Sequence, residues 1–439
     1  MNSFRRLCLL ISVLALLALV IGLFRSNMAL WQPSAVILAV SFAIGIGVLE
    51  SLKNYQYTAW IITAVVVGML YPAAFLKWGE VDLRNKWLIL VVVQMVMFGM
   101  GIQMSLKDFS GLASTGKGIL IGLLCHFSIM PLMGFLLTRI FHFETEIAAG
   151  IILIGSCSSG LASNVMVYIA RANLVLSVAV TAMATLIAPF MTPLLMKLLA
   201  GTLIDIKFFN MMMEIIKIVI VPIGAALVHD YLKTASPKGW KKIQLISVIC
   251  AIWLVALPFG LWSALQSRLS EDAMSSIEIL SFFAGALLTG LFYHVCTRKF
   301  HQLDGIMPYL SMFGIVYFTT VTTAAGRDNL LKVGFLLFLA SVIHNGAGYL
   351  FGYLLSRIFG LDKKSSRTVA FEVGLQNGGM ASGLAGSMGK LGTVGLASAV
   401  FSPWMNISGS ILANYWRRKA LKEEEEELQK SLQHTNETI

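Results

Sequence analysis

The sequence predicts an all-α polytopic membrane protein with about fourteen transmembrane helices, laid out as two inverted seven-helix repeats with one broken helix in each. Three observations carry that expectation. Hydrophobic residues fill 57% of the 439 positions, charged residues only 13%, and the mean hydropathy is +0.80, which suits lipid-soluble helices and excludes an ordinary soluble enzyme. Apolar runs of roughly 18–27 residues, each long enough for about 30 Å of hydrocarbon, follow one another along the chain. Stretches of the first half also return in the second at a nearly fixed spacing.

The runs lie near 7–24, 34–52, 57–76, 86–106, 116–140, 146–170, 174–199, 207–230, 243–265, 277–297, 306–325, 330–356, 367–388 and 393–416. An even number puts both termini on one side of the membrane. With the N-terminus inside, the inner segments carry about 21 Lys and Arg and the outer ones about 11, the direction of the positive-inside bias. Inner clusters are Lys233 with Lys238, Lys241 and Lys242, then Lys363, Lys364 and Arg367, then Arg417, Arg418 and Lys419. The expected location is the cell inner (plasma) membrane, with both termini cytoplasmic. The net charge of +11 therefore sits between apolar runs and not in an aromatic-interleaved patch, so nucleic acid is not an expected partner. Arg5-Arg6 followed by apolar residues resembles a secretory signal, but no small-x-small cleavage site precedes the next run. It is read as an uncleaved first helix.

The repeat sets the domain organisation. Leu136-Leu137-Thr138-Arg139-Ile140-Phe141 returns as Leu354-Leu355-Ser356-Arg357-Ile358-Phe359, and the same step of 218 positions takes His126 to His344 and Gly134 to Gly352. A nearly equal step takes Gly160-Leu161-Ala162-Ser163 to Gly379-Met380-Ala381-Ser382. Residues 1–206 then form the first repeat (helices 1–7, broken helix 146–170) and 207–418 the second (helices 8–14, broken helix 367–388), with 419–439 a charged cytoplasmic tail. Seven spans is an odd number, so the second repeat enters the membrane from the opposite face.

Each repeat is interrupted in its sixth span, by Gly155-Ser156-Cys157-Ser158-Ser159-Gly160 and by Gly374 to Gly379. Backbone that leaves helical geometry in a bilayer needs other hydrogen-bond partners, so matched breaks point to a midplane binding site. Glu372 lies beside the second break, and a carboxylate at membrane depth must be protonated or meet a cation. Ser163 and Asn164 follow the first break, and Ser177 and Thr181 share one face of the next helix. Their oxygens suit a hard cation such as Na⁺. The same Ser and Thr also suit close helix packing, and the ion reading is preferred because Glu372, Gln376 and Asn377 lie on the opposite broken helix.

These residues also resemble a family, the bile acid:sodium symporters. The resemblance covers roughly residues 57–230 and 306–418. It is carried by Met97-Phe98-Gly99-Met100-Gly101, by Ser163-Asn164-Val165 with Tyr168, by Glu372-Val373-Gly374-Leu375-Gln376-Asn377, and by Phe401 to Ser410, which contains Asn406-Ile407-Ser408-Gly409-Ser410. The resemblance implies a ten-helix core of two inverted repeats, divided into a panel and a core domain, with two sodium ions where the broken helices cross. An organic anion, a bile acid, steroid conjugate or small carboxylate, would fill the adjacent cleft. Carried over position by position, the first ion takes Ser163, Asn164, Ser177, Thr181 and Glu372. The second shares Glu372 and adds backbone oxygens of Val373 and Leu375 and the Gln376 side chain. Asn377 falls on the substrate side, and Gly378 and Asn406 are assigned with it.

The chain departs from the family in three places. His126 stands where the family usually has a Gln that binds the second sodium, and an imidazole binds Na⁺ less readily than an amide oxygen. It is either a replacement ligand or a buried histidine bonded to a backbone carbonyl. Ser158-Ser159 replaces a common Pro-Gly at the first break, which changes its shape but not its polarity. Four spans are additional, and the repeat places them as helices 2–3 and 9–10. A rival alignment sets two helices ahead of the core and makes 57–76 its first helix. The additions are expected to enlarge the panel or to form a homodimer surface. The expected function is a sodium-coupled symporter importing an organic anion across the lipid bilayer by alternating access. Proton coupling through Glu372 or His126, or a membrane ligand sensor, are the competing readings. No serine, histidine and acid set argues for an enzyme.

Overall fold

The computed structural model describes residues 2–50, 52, 55–107 and 112–437. They form a nearly all-helical bundle, with a two-residue antiparallel hairpin (β1, Lys77–Trp78; β2, Val81–Asp82) in one connection. Among the described residues nine helices are long and apolar enough to cross a membrane. Polar N-caps start several segments. Asn85, Asn173, Ser236, Ser270 and Asp362 each accept a hydrogen bond from a backbone N–H one or two positions inside the helix that follows.

The first half comprises α1 (Asn2–Phe24), α2 (Met28–Gly45), α3 (Gln56–Leu70), α4 (Lys86–Gly101), α5 (Leu112–Phe141), the pair α6 (Thr145–Ser156) and α7 (Leu161–Ile169), and α8 (Leu174–Ala200). The second comprises α9 (Phe208–Ile215), which runs through a π turn at Ile216–Ile220 into α10 (Val221–Thr234), then α11 (Pro237–Ala256), α12 (Trp262–Gln266), α13 (Glu271–Lys299), α14 (Leu303–Ala325), α15 (Arg327–Ile358), the pair α16 (Lys363–Gly374) and α17 (Gly378–Ser387), and α18 (Leu396–Glu437). Every apolar run read from the sequence falls on one of these segments. The second run ends earlier than expected, in a 3₁₀ turn at Ile46–Val48, and residue 51 lies outside the described residues. In the tail α18 runs without interruption past residue 418 to Glu437, and 438–439 lie outside the described residues.

Two layers position the site. One contains α5 to α8 with α15 to α18, where α15 packs on α5 and α16, and α6 on α5 and α8. The other contains α3, α4, α10 and α14, with α3 against α14 and α10 against α4. Two further hairpins clad this second layer. α1 and α2 lie against each other with α2 on α3, while α11 and α13 pair with α13 on α10. Their outer faces are apolar and exposed, as Leu10, Leu14, Leu17, Leu245, Ile249 and Ile252 show, which is the face that hydrocarbon covers in a bilayer. In contrast, Ile147–Ser156 and Ser365–Gly374 are buried all round.

Candidate functional site

The two breaks lie against each other and pair. Asn377 N–H donates to the Ser158 carbonyl at 2.8 Å and Gly160 N–H to the Leu375 carbonyl at 3.2 Å, which makes Ser159 and Gln376 an isolated antiparallel bridge. Carbonyls released by the breaks are met by side chains. Thr192 donates to Ser156 O at 2.7 Å, Asn345 to Gly374 O at 2.8 Å, Ser163 to Gly160 O at 2.7 Å and Gln376 Nε2 to Val373 O at 2.7 Å. Such replacement partners allow non-helical backbone at this depth.

Glu372 lies against the crossing and is fully buried. Its Oε1 accepts from Ser177 Oγ at 2.5 Å, and its Oε2 accepts from Ser159 Oγ at 2.7 Å and Thr181 Oγ1 at 2.8 Å. Asn164 Oδ1 accepts from the same Ser177 and Thr181 hydroxyls, at 2.7 and 3.3 Å, and Ser163 Oγ lies 3.4 Å from Thr181 Oγ1. All five residues assigned to a first ion therefore meet in one cluster, and no Lys or Arg is recorded in an ion pair with Glu372 among the described residues. Sequence reasoning missed Ser159, which was read only as altering the shape of the break. The signal was available: a hydroxyl replaces a residue without one, opposite the buried Glu372.

The second set is arranged differently. His126 is fully buried, with Nδ1 2.9 Å from the Glu372 carbonyl and Nε2 2.8 Å from the Cys157 carbonyl. Both ring nitrogens thus face backbone carbonyl oxygens, and a ring carrying one N–H donates to one of them while a ring carrying two donates to both. The Val373 carbonyl is held by Gln376 and that of Leu375 by Gly160. Gln376 Oε1 alone is buried without a partner.

A cleft of about 310 Å³ lies between the crossing and α3, α4 and α14. Asn377, Gly378 and Asn406 all line it, with Gln103, Ser311 and Met405. Asn377 Oδ1 caps α17 by accepting from Met380 N–H at 3.0 Å, which leaves its Nδ2 buried and unpartnered. No Lys, Arg or His is among the residues lining the cleft. On one side of the crossing α7 is open, with Val165 52% and Tyr168 72% exposed. On the other, α17 is buried from Gly378 to Gly386 and packs on α4. A Cβ on Gly383 would come within 2.6 Å of Val93, and one on Gly386 within 2.7 Å of Ile89, so glycine permits this close approach.

Residues 90–268 match the Sodium Bile acid symporter family. A sodium-dependent transporter of Bacillus subtilis, YocS, is 31% identical over 369 residues, 83% of this chain and 92% of its own length. The probable sodium/metabolite cotransporter BASS1 of Arabidopsis thaliana chloroplasts is 29% identical over 84% of this chain and 75% of its own. The human ileal sodium/bile acid cotransporter is 28% identical over 65% of each. Among solved structures, the sodium proton antiporter MjNhaP1 from Methanocaldococcus jannaschii shares the fold with a TM-score of 0.51 at 13% identity, over 89% of this chain and 98% of that one.

Proposed function

The chain belongs to the Sodium Bile acid symporter family, and from that premise we propose that it imports a small organic anion by sodium-coupled alternating access. It is a multi-pass membrane transporter and not an enzyme, as its relatives are. The observation that carries the coupling is Glu372, a fully buried acid ringed by hydroxyl and amide oxygens with no basic partner among them. Such a group is kept charged only by a cation. Na⁺ bound there would take oxygens from Glu372, Ser177, Thr181, Ser163, Asn164 and Ser159, which come from three helices, α16, α8 and α7, and from the first break.

Coupling follows from the cleft. Among the described residues its walls offer an anion no basic side chain, but the unpartnered Asn377 Nδ2, the N-terminus of α17 at Gly378, and neutral polar groups such as Gln103, Ser311 and Asn406. Those donors favour negative charge weakly, so the bound sodium beside them supplies the remaining attraction and the anion binds well only after it. A volume of about 310 Å³ is near the lower end of ligand pockets, roughly 300–1,000 Å³, which favours a small carboxylate over a bile acid or steroid conjugate. Rocking of the two layers would seal α7 against α14 and free α17 from α4. With both termini cytoplasmic, the cleft as it stands opens inward.

The inverted repeat is read here with the rival placement of the extra helices. α3 on α14 and α10 on α4 are equivalent contacts if α3 corresponds to α10. The hairpins α1–α2 and α11–α13 then clad equivalent helices, one ahead of its partner in sequence and the other after it. The ten remaining spans make two five-helix repeats. Uptake into liposomes with an imposed Na⁺ gradient, repeated with choline in place of Na⁺ at two pH values, tests the function. Uptake that persists in choline and follows the pH gradient would replace sodium with proton coupling.

A further inference from the structure

The two ion sites that the family pattern suggests do not fit this chain equally. Both carboxylate oxygens of Glu372 are directed into the first cluster, Oε1 to Ser177 and Oε2 to Ser159 and Thr181. A second ion sharing that side chain would compete with these three bonds. The backbone oxygens assigned to the second site are held at 2.7 Å by Gln376 Nε2 and at 3.2 Å by Gly160 N–H. Of the other two positions, Gln376 Oε1 is buried without a partner, and the His126 ring fills the last, between the Cys157 carbonyl at the first break and the Glu372 carbonyl on α16. A cation between the two broken helices would make that same link, drawing carbonyl oxygens from both. Ser159 shows the compensation on the other side. The first break contributes one more hydroxyl to Glu372, so the single cage is richer in oxygen.

We infer that this transporter carries one sodium ion per cycle, in the Glu372 cage, with the His126 ring standing in place of a second ion as a fixed link between the broken helices. The inference rests on the reading of Glu372 as the ion site. Its consequence is electrical: one Na⁺ with one monovalent anion moves no net charge, so the membrane potential does not drive uptake.

Radioactive sodium bound by the purified full chain at saturation, measured by equilibrium dialysis, is expected to reach one ion per chain with a Hill coefficient of about 1. Uptake into liposomes, with the potential set by K⁺ and valinomycin, is expected not to change. Two ions per chain, or accumulation that rises on the order of fiftyfold per 100 mV as one net charge would give, overturns the inference and leaves the Glu372 site standing. No bound sodium at all overturns the site itself. His126→Gln supplies an amide oxygen in place of the ring and is expected to admit a second ion and make uptake potential-dependent. A folded His126→Gln protein that still binds one ion removes the ring from the explanation.

Discussion

The two breaks share a backbone design and differ in chemistry. Both interrupt a helix buried all round, both have their freed carbonyls met by side chains, and each donates one N–H to the other. Yet the step of 218 positions that relates the halves puts Ile154 where the second half has Glu372. Ile154 is 1% exposed within the main apolar cluster. The first break contributes hydroxyls and the second the acid. The backbone at the crossing is thus alike in the two halves, while their side chains place an acid in one and an isoleucine in the other.

Removing the acid tests that difference most severely. Glu372→Gln should lower sodium-dependent uptake on the order of 100-fold or more, since a hydrogen bond to a charged group is worth up to about 3 kcal/mol and several are lost; uptake assays and sodium-dependent thermal shifts would both register it. Full activity would dissolve the contrast. The converse change, Ile154→Glu, puts a charge among apolar groups and should destabilise the protein by about 3 kcal/mol or more, seen as a fall in Tm in detergent. A well-folded variant would mean the copies are more alike than their side chains indicate.

Smaller changes sharpen the contrast. Ser159→Ala and Ser177→Ala should each weaken sodium binding about tenfold, from the loss of roughly 1–2 kcal/mol per contact to a charged group, read by sodium titration of stability. Asn377→Ala should raise the substrate KM severalfold, by about 1 kcal/mol, with sodium binding retained. The smallest effect belongs to the ends of α7 and α16 remote from the crossing. Glu424 pairs with Arg171 at 2.7 Å, and Glu423 with Arg367 at 3.0 Å. With Glu424 43% exposed, Glu424→Gln should cost less than about 1 kcal/mol, read as a small, salt-sensitive shift in Tm.

The sequence revealed much of this because hydropathy and chain breaks are local signals. The spans, both interruptions and the cluster of Ser163, Asn164, Ser177, Thr181 and Glu372 lay in motifs or at helical spacing. Ser159 was missed because side-chain direction at a break follows no helical period. The partners of His126 are carbonyls 31 and 246 positions away, which no local pattern encodes. The acidic run from Glu423 reads as a solvated tail until Arg171, Lys363 and Arg367 are brought beneath it. The extra hairpins were placed by a repeat whose matched residues lie in the fifth and sixth spans of each half, so the order of the outer helices was left to packing.

The glycine-lined contact of α17 with α4 bears on how fast such a molecule can turn over. Gly383 and Gly386 meet Val93 and Ile89 through backbone and methyl groups, so parting them breaks no directional bond. What is given up is dispersion, individually small and regained when lipid or water refills the seam. A seam built in this way holds by fit alone, with no directional bond at these glycines to undo.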